Sequence, residues 1–129
     1  MRIAKASAAV GAIVEDIDVT RLDDDEFAAI RQAFLDHGAL FFREQTLTPE
    51  AHIAFAERWG AIDFNRFFKR REGYPEIAEV LKEPDQQLNI GGGWHTDHSY
   101  DEAPAMGSIL YALEIPPSGG DTLFAGMAA

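Results

Sequence analysis

Apolar residues fall in short clusters separated by polar and glycine punctuation. Ala8 to Val14 reads A-A-V-G-A-I-V, an apolar run compatible with a strand. The acid-rich stretch from Glu15 to Glu26 reads as a solvated loop leading into a helix. Asp23 is placed as its N-cap, with Glu26 three residues on completing a capping box. Phe27, Ile30, Phe34 and Leu35 then recur at helical spacing and define an apolar face. Gly38 after His37 supplies a C-terminal stop. Ala39 to Phe42 reads as a buried strand. Thr48-Pro49 opens a second helix, with the hydroxyl as cap and proline at the first helical position. His52, Phe55, Ala56 and Trp59 share one side of that helix, and Gly60 ends it. The pattern predicts strand, helix, strand, helix.

The later pattern is less regular, and no repeat or low-complexity segment occurs. Phe64, Phe67 and Phe68 precede Lys69, Arg70 and Arg71. This reads as a solvated loop over an aromatic anchor, or as a basic cluster able to receive an anion. Ile77 to Leu81 is ambiguous between strand and helix. Gly91-Gly92-Gly93 is a flexible turn and not a phosphate loop, since no Lys-Ser or Lys-Thr pair follows. Met106 to Ile115 is strongly apolar and predicts a buried strand. Pro116 to Gly120 is a turn, and Asp121 to Phe124 predicts a further strand.

Length and composition narrow the class. A chain of 129 residues suits one domain, and 47% hydrophobic content supplies a packed core. The net charge of −11 repels phosphate backbones and anionic membrane surfaces, so neither nucleic acid nor membrane is expected as a partner. The absence of Cys excludes disulfides and thiolate zinc sites. No secretory h-region and no apolar run near the roughly 20 residues of a bilayer span is visible. The expected setting is cytoplasmic.

Candidate chemistry lies in Trp94-His95-Thr96-Asp97-His98. In a strand, residues two apart point to the same side, so His95 and Asp97 reach one ion together while Trp94 and Thr96 face away. One imidazole and one carboxylate are two of the three groups in the facial triad of non-haem Fe(II) oxygenases. Alone the motif is weak. With four His and eleven Asp present, a chance His-x-Asp is expected in roughly one such chain in three. A surface turn carrying a His–Asp hydrogen bond is the better explanation of an isolated copy.

The surroundings of the motif raise its weight. W-H-T-D is followed by Ala103-Pro104-Ala105-Met106-Gly107, Leu113-Glu114-Ile115-Pro116 and Gly119-Gly120-Asp121-Thr122-Leu123-Phe124. Upstream, Ala39 to Arg43 is followed by Leu47-Thr48-Pro49. In this order and spacing the chain resembles the taurine dioxygenase/2,4-dichlorophenoxyacetate dioxygenase family over nearly its whole length. The resemblance implies an α+β, mainly β fold: an incomplete double-stranded β-helix, or jelly-roll, with N-terminal helices packed on the sheet. It implies that residues 1–129 form the N-terminal portion of one such domain. It implies Fe(II) and 2-oxoglutarate as cofactors, with a small organic molecule and O2 as reactants. His95 and Asp97 become metal ligands by this resemblance. Thr122 matches the Thr that hydrogen-bonds the 2-oxoglutarate carboxylate. Asn65, Phe68 and Gly91 match the substrate-contacting positions. Taurine enzymes carry His, Tyr and Asn there, so two of three polar groups for a sulfonate are replaced and taurine is disfavoured. Arg66, Lys69 or Arg70 remain to meet an anionic substrate. Trp94 is expected to pack, His98 to be a bystander or to support the ligands, and His37 and His52 to be structural.

The family's distal His and its 2-oxoglutarate-binding Arg have no counterpart here: no His follows His98 and no Arg follows Arg71. The expected function is C–H hydroxylation by an Fe(II)/2-oxoglutarate dioxygenase, extending to C–S or C–O cleavage, with the 129-residue chain inactive on its own. The alternative is a non-catalytic fragment, or one half of a split enzyme acting as an interaction module. Homo-oligomerisation and pairing with a separate C-terminal half are both left open. A cupin-type zinc or manganese site is disfavoured by the lack of an H-x-H pair.

Overall fold

Strand β1 (Arg2–Lys5) and strand β2 (Ala12–Glu15) form an antiparallel hairpin in register Arg2↔Glu15 to Lys5↔Ala12. The turn between them is closed by Ala6 N–H donating to Gly11 O at 2.9 Å and by Ser7 Oγ donating to Val10 O at 2.6 Å. The expected strand from Ala8 therefore begins only at Ala12, because Ser7 to Val10 are spent on the turn. Gly11 has φ +93°, and a Cβ there would meet Phe41 Cε2 at 3.1 Å. Glycine is required at this corner by both conformation and space.

These coordinates are a computed structural model describing residues 1–88 and 91–127. The chain divides into two units, Met1–Phe55 with Tyr111–Ala129, and Ala56–Leu110.

In the first unit, helix α1 (Asp24–His37) links β2 to strand β3 (Leu40–Phe42), which pairs parallel to β2 in register Ala12↔Leu40 to Val14↔Phe42. The sheet order is β1-β2-β3. The predicted capping box is formed: Glu26 N–H donates to Asp23 Oδ1 at 2.8 Å, and Asp23 N–H to Glu26 Oε2 at 3.1 Å. Gly38 adopts φ 72° and its N–H donates to Phe34 O at 2.8 Å, ending the helix. Ile30 and Ala33 are buried, whereas Leu35 is 57% exposed. Leu35 sits about 140° around the helix from Ile30, so the buried stripe runs through Ala33 and not through Leu35. Ala12, Val14, Val19, Ile30, Ala33, Ala39 and Phe55 form the buried apolar set. Full burial of Val14 and Ile30 contributes about 1.5–3 kcal/mol each.

Helix α2 (Pro49–Glu57) has the expected Thr48 cap, whose Oγ1 accepts from Ala51 N–H at 3.2 Å. It ends at Glu57, and the residues up to Gly60 form turns in which Trp59 N–H donates to Ala56 O at 2.9 Å. Phe55 meets Phe42 edge-on, with centroids 5.9 Å apart. Gln45 clamps the same unit: its Oε1 accepts from Val19 N–H at 3.0 Å and its Nε2 donates to Ile17 O at 2.9 Å.

The second unit holds a hairpin of β4 (Lys69–Arg71) and β5 (Tyr74–Glu79). The loop expected up to Arg71 thus ends in a strand, and the ambiguous segment at Ile77 resolves as strand. Glu72-Gly73, with Gly73 at φ 79°, is the two-residue connection that signals a hairpin. Between Gly91 and Met127 no described residue is in a helix or strand. The strands expected at Met106–Ile115 and Asp121–Phe124 are not formed, and the W-H-T-D segment is not a strand either. A strand requires a paired neighbour along a ladder, and none of the described residues of these segments is in one. The described residues form a small α+β arrangement of two helices with one three-stranded and one two-stranded sheet. No helix among the described residues is long and apolar enough to cross a membrane.

Candidate metal centre

His95 and Asp97 come together without strand alternation. His95 Nε2 lies 3.3 Å from Asp97 Oδ1, and both side chains are more than half exposed. His95 Nδ1 lies 2.8 Å from Gly93 O. A carbonyl only accepts, so this contact is made by an Nδ1–H, and in that neutral tautomer Nε2 is the nitrogen left to ligate a metal. Two donors each about 2.1 Å from one ion and at right angles lie about 3 Å apart, so the observed separation suits adjacent ligands of one divalent metal. Gly91, at φ +69°, makes room for this ring: a Cβ there would meet His95 Cε1 at 3.1 Å.

The turn after Asp97 is held by a second set of contacts. His98 is at φ 49°, in the left-handed region that non-glycine residues rarely occupy. Its Nδ1 lies 3.1 Å from Asp101 Oδ2, and Asp101 N–H donates to His98 O at 2.9 Å. The imidazole stacks on Tyr100 at 5.7 Å and meets Phe67 at 5.6 Å. Arg66 Nη2 donates to both oxygens of Asp101, each at 3.0 Å. The hydrogen bond from His98, and then Arg66, hold the Asp101 carboxyl below the usual carboxylate range. Thr96 Oγ1 and Ser99 Oγ are 2.6 Å apart across the same turn. His98 is thus half-buried, with contacts at Nδ1 and at its ring. Trp94, expected to pack, is 72% exposed.

Asn65 Oδ1 accepts from Phe67 N–H at 2.8 Å and Phe68 N–H at 3.0 Å, so its carbonyl end builds its own turn. Phe68 is half-buried beside it. Thr122 is exposed and belongs to the first unit, whereas His95 and Asp97 belong to the second. Of the basic side chains offered to an anion, Arg66 is engaged by Asp101 and Lys69 lies 3.8 Å from Glu79 Oε2. Arg70 lies over the Phe64 ring at 5.3 Å. Sequence reasoning missed the Arg66–Asp101–His98 set, since a pairing across 35 positions leaves no local signal.

Residues 2–129 match the family described as "Taurine catabolism dioxygenase TauD, TfdA family". The chain is 33% identical over 130 residues to an (S)-phenoxypropionate/alpha-ketoglutarate-dioxygenase of Sphingobium herbicidovorans, covering 98% of this chain and 45% of that protein. It is 33% identical over 133 residues to an alpha-ketoglutarate-dependent 2,4-dichlorophenoxyacetate dioxygenase of Cupriavidus pinatubonensis, covering 90% and 46% respectively. A crystal structure of a putative alpha-ketoglutarate-dependent taurine dioxygenase from Burkholderia xenovorans superposes with TM-score 0.55 at 36% identity, over 64% of this chain and 32% of that one. The chain therefore spans a little under half the length of the curated relatives it matches. On the match of residues 2–129, the chain belongs to the TauD/TfdA family of dioxygenases.

Proposed function

We propose that the chain contributes the first two metal ligands, His95 and Asp97, to an Fe(II)- and 2-oxoglutarate-dependent dioxygenase acting on a C–H bond of a small organic molecule. The observation that carries this reading is the 3.3 Å convergence of His95 Nε2 and Asp97 Oδ1 within a family of dioxygenases. Bound iron, 2-oxoglutarate and O2 supply the oxidising power, with 2-oxoglutarate leaving as succinate and CO2 and one oxygen atom entering the substrate. The chain's own residues bind and orient. Gly93 O fixes the His95 tautomer, which keeps Nε2 available as a lone-pair donor. Asp97 brings negative charge that matches a hard divalent cation. The Thr122 hydroxyl is assigned as donor to a 2-oxoglutarate carboxylate, a charge-assisted bond. Asn65, Phe68 and Gly91 are assigned to the substrate side. Loss of the new hydroxyl carbon's sulfur or oxygen substituent would turn hydroxylation into C–S or C–O cleavage.

The domain reading is supported by coverage. Residues 1–129 are taken as the N-terminal portion of a single jelly-roll dioxygenase domain, and the third metal ligand comes from outside them. The relatives' coverage of 45% and 46% supports this. So does the apolar character of Leu110, Leu113, Ile115 and Leu123, which the described residues leave mostly exposed. The same exposure favours a second reading, an interaction module completed by a separately made β-rich half. Copurification with such a half, with recovery of succinate formation, would single out the split enzyme.

The first test is anaerobic Fe(II) titration of the chain with 2-oxoglutarate, following the visible charge-transfer band of the chelate. The expected result is a band that disappears in His95→Ala and in Asp97→Ala. A band indifferent to both substitutions would overturn the assignment.

A further inference from the structure

The turn that leaves Asp97 is the point where the candidate metal centre is exposed to distortion. His98 follows Asp97 directly and holds φ 49°. A side chain with a Cβ stays in that conformation only when its surroundings over-determine it. Here four contacts do so: the Nδ1 contact to Asp101, the return bond from Asp101 N–H, and the rings of Tyr100 and Phe67. Asp101 is in turn anchored by Arg66, which arrives from the loop that carries Asn65, Phe67 and Phe68.

We infer that Arg66, Asp101 and His98 form a latch that positions the Asp97 carboxylate beside His95, and that Arg66 serves this latch and not a substrate anion. The inference rests on the metal-centre reading above and adds the residues that aim it. A rival use of the same groups is a separate cation site. Asp63, His98 and Asp101 each offer a ligand atom, all within 4.8 Å of one another. Arg66 decides against it. Its guanidinium occupies both Asp101 oxygens, and a fixed positive charge there repels a second cation. His98 Nδ1 also carries its proton toward Asp101, because a carboxylate only accepts. The hydroxyls of Thr96 and Ser99, which bracket Asp97 and His98 in sequence, are hydrogen-bonded to each other across the same turn.

The test uses the full chain and two readouts. In the absence of metal, backbone and imidazole NMR signals of His95 and Asp97 are compared in unaltered protein, Arg66→Gln, Arg66→Lys and Asp101→Asn. Signals of α1 serve as the folding control. Arg66→Gln and Asp101→Asn are expected to displace the His95 and Asp97 signals while α1 is unchanged, and Arg66→Lys to displace them less. With Fe(II) and 2-oxoglutarate added, the same two variants should bind iron about 10- to 100-fold more weakly. Should Arg66→Gln unfold the chain, the isosteric Asp101→Asn decides alone. Unmoved His95 and Asp97 signals in Asp101→Asn would overturn the latch. So would tighter, His98-dependent Mn(II) binding in Arg66→Gln, which would mark a cation site masked by arginine. Failure of the unaltered chain to bind Fe(II) through His95 would sink the metal-centre reading, while the metal-free signals would still decide the latch.

Discussion

Ala12 to Glu15 and Met106 to Ile115 are both apolar enough to predict strands, yet only the first forms one. β2 has β1 on one side and β3 on the other, and Ala12 and Val14 are 0% and 1% exposed. Leu110, Leu113 and Ile115 are 79%, 76% and 74% exposed, in backbone with no ladder. Hydrophobic content does not separate the two segments. What differs is whether neighbouring strands stand within the same stretch of chain. A strand's stability belongs to its pairings and to its buried face, and neither is a property of the segment itself.

The comparison is broken most directly by truncating one buried and one exposed side chain. Ile30→Ala removes a fully buried residue from the first unit and is expected to cost about 2–5 kcal/mol. Leu110→Ala should change stability by no more than about 0.5 kcal/mol. Denaturant unfolding of both variants measures the gap, and equal losses would mean that the apolar tail is packed in solution. Next in size is Gly91→Ala. It places a Cβ at φ +69° and within 3.1 Å of the His95 ring, a conformation costing about 1–2 kcal/mol for an L-residue. Weaker Fe(II) binding, with helix content by circular dichroism unchanged, is the expected result. Asp23→Ala sharpens the other side of the comparison by removing the α1 capping box, at about 1 kcal/mol. A lowered thermal midpoint would register that loss.

The smallest effect is in acid. The Thr20 hydroxyl, then the Thr20 N–H, hold Asp18 below the usual carboxylate range, and His98, then Arg66, do the same for Asp101. A carboxyl whose folded pKa is depressed contributes stability above its unfolded value, around 4, and loses it as pH falls through the folded pKa. Both contributions are therefore full at neutral pH and fade only in strong acid. The acid limb of the unfolding midpoint should be shallower in Asp18→Asn than in the unaltered chain: its midpoint lies slightly lower above pH about 5, and the two converge in strong acid.

The first 57 residues were largely legible because their instructions are local. Asp23 with Glu26, Gly38 and Thr48-Pro49 each act within one helical turn, and each does in the structure what its position implies. Three things there were misread: β1 (Arg2–Lys5) was not anticipated, Leu35 was placed on the buried face that Ala33 occupies, and the turn at Ser7 delays the start of β2 to Ala12. The pairing of His95 with Asp97 was also legible, but for a different reason. The expectation invoked strand alternation, whereas the observed convergence comes from a turn in which Gly93 O holds the imidazole. The Arg66–Asp101 contact was not legible at all, because it joins two loops whose approach no periodicity describes. The Glu72-Gly73 connection was legible and overlooked, hidden between a basic cluster and a segment with no clear period.

The contact between Phe41 on β3 and Phe124, with ring centroids 6.1 Å apart, has a meaning for the order of synthesis. The two rings leave the ribosome at different times. At 5–20 residues per second the second follows the first by roughly 4–17 s. During that interval the hairpin, α1 and β3 have all been made, while one side of Phe41 still awaits its aromatic cover. The nascent chain thus passes through a stage with an uncovered aromatic face beside the parallel β2–β3 pair, and slowing translation between residues 42 and 124 would prolong that stage.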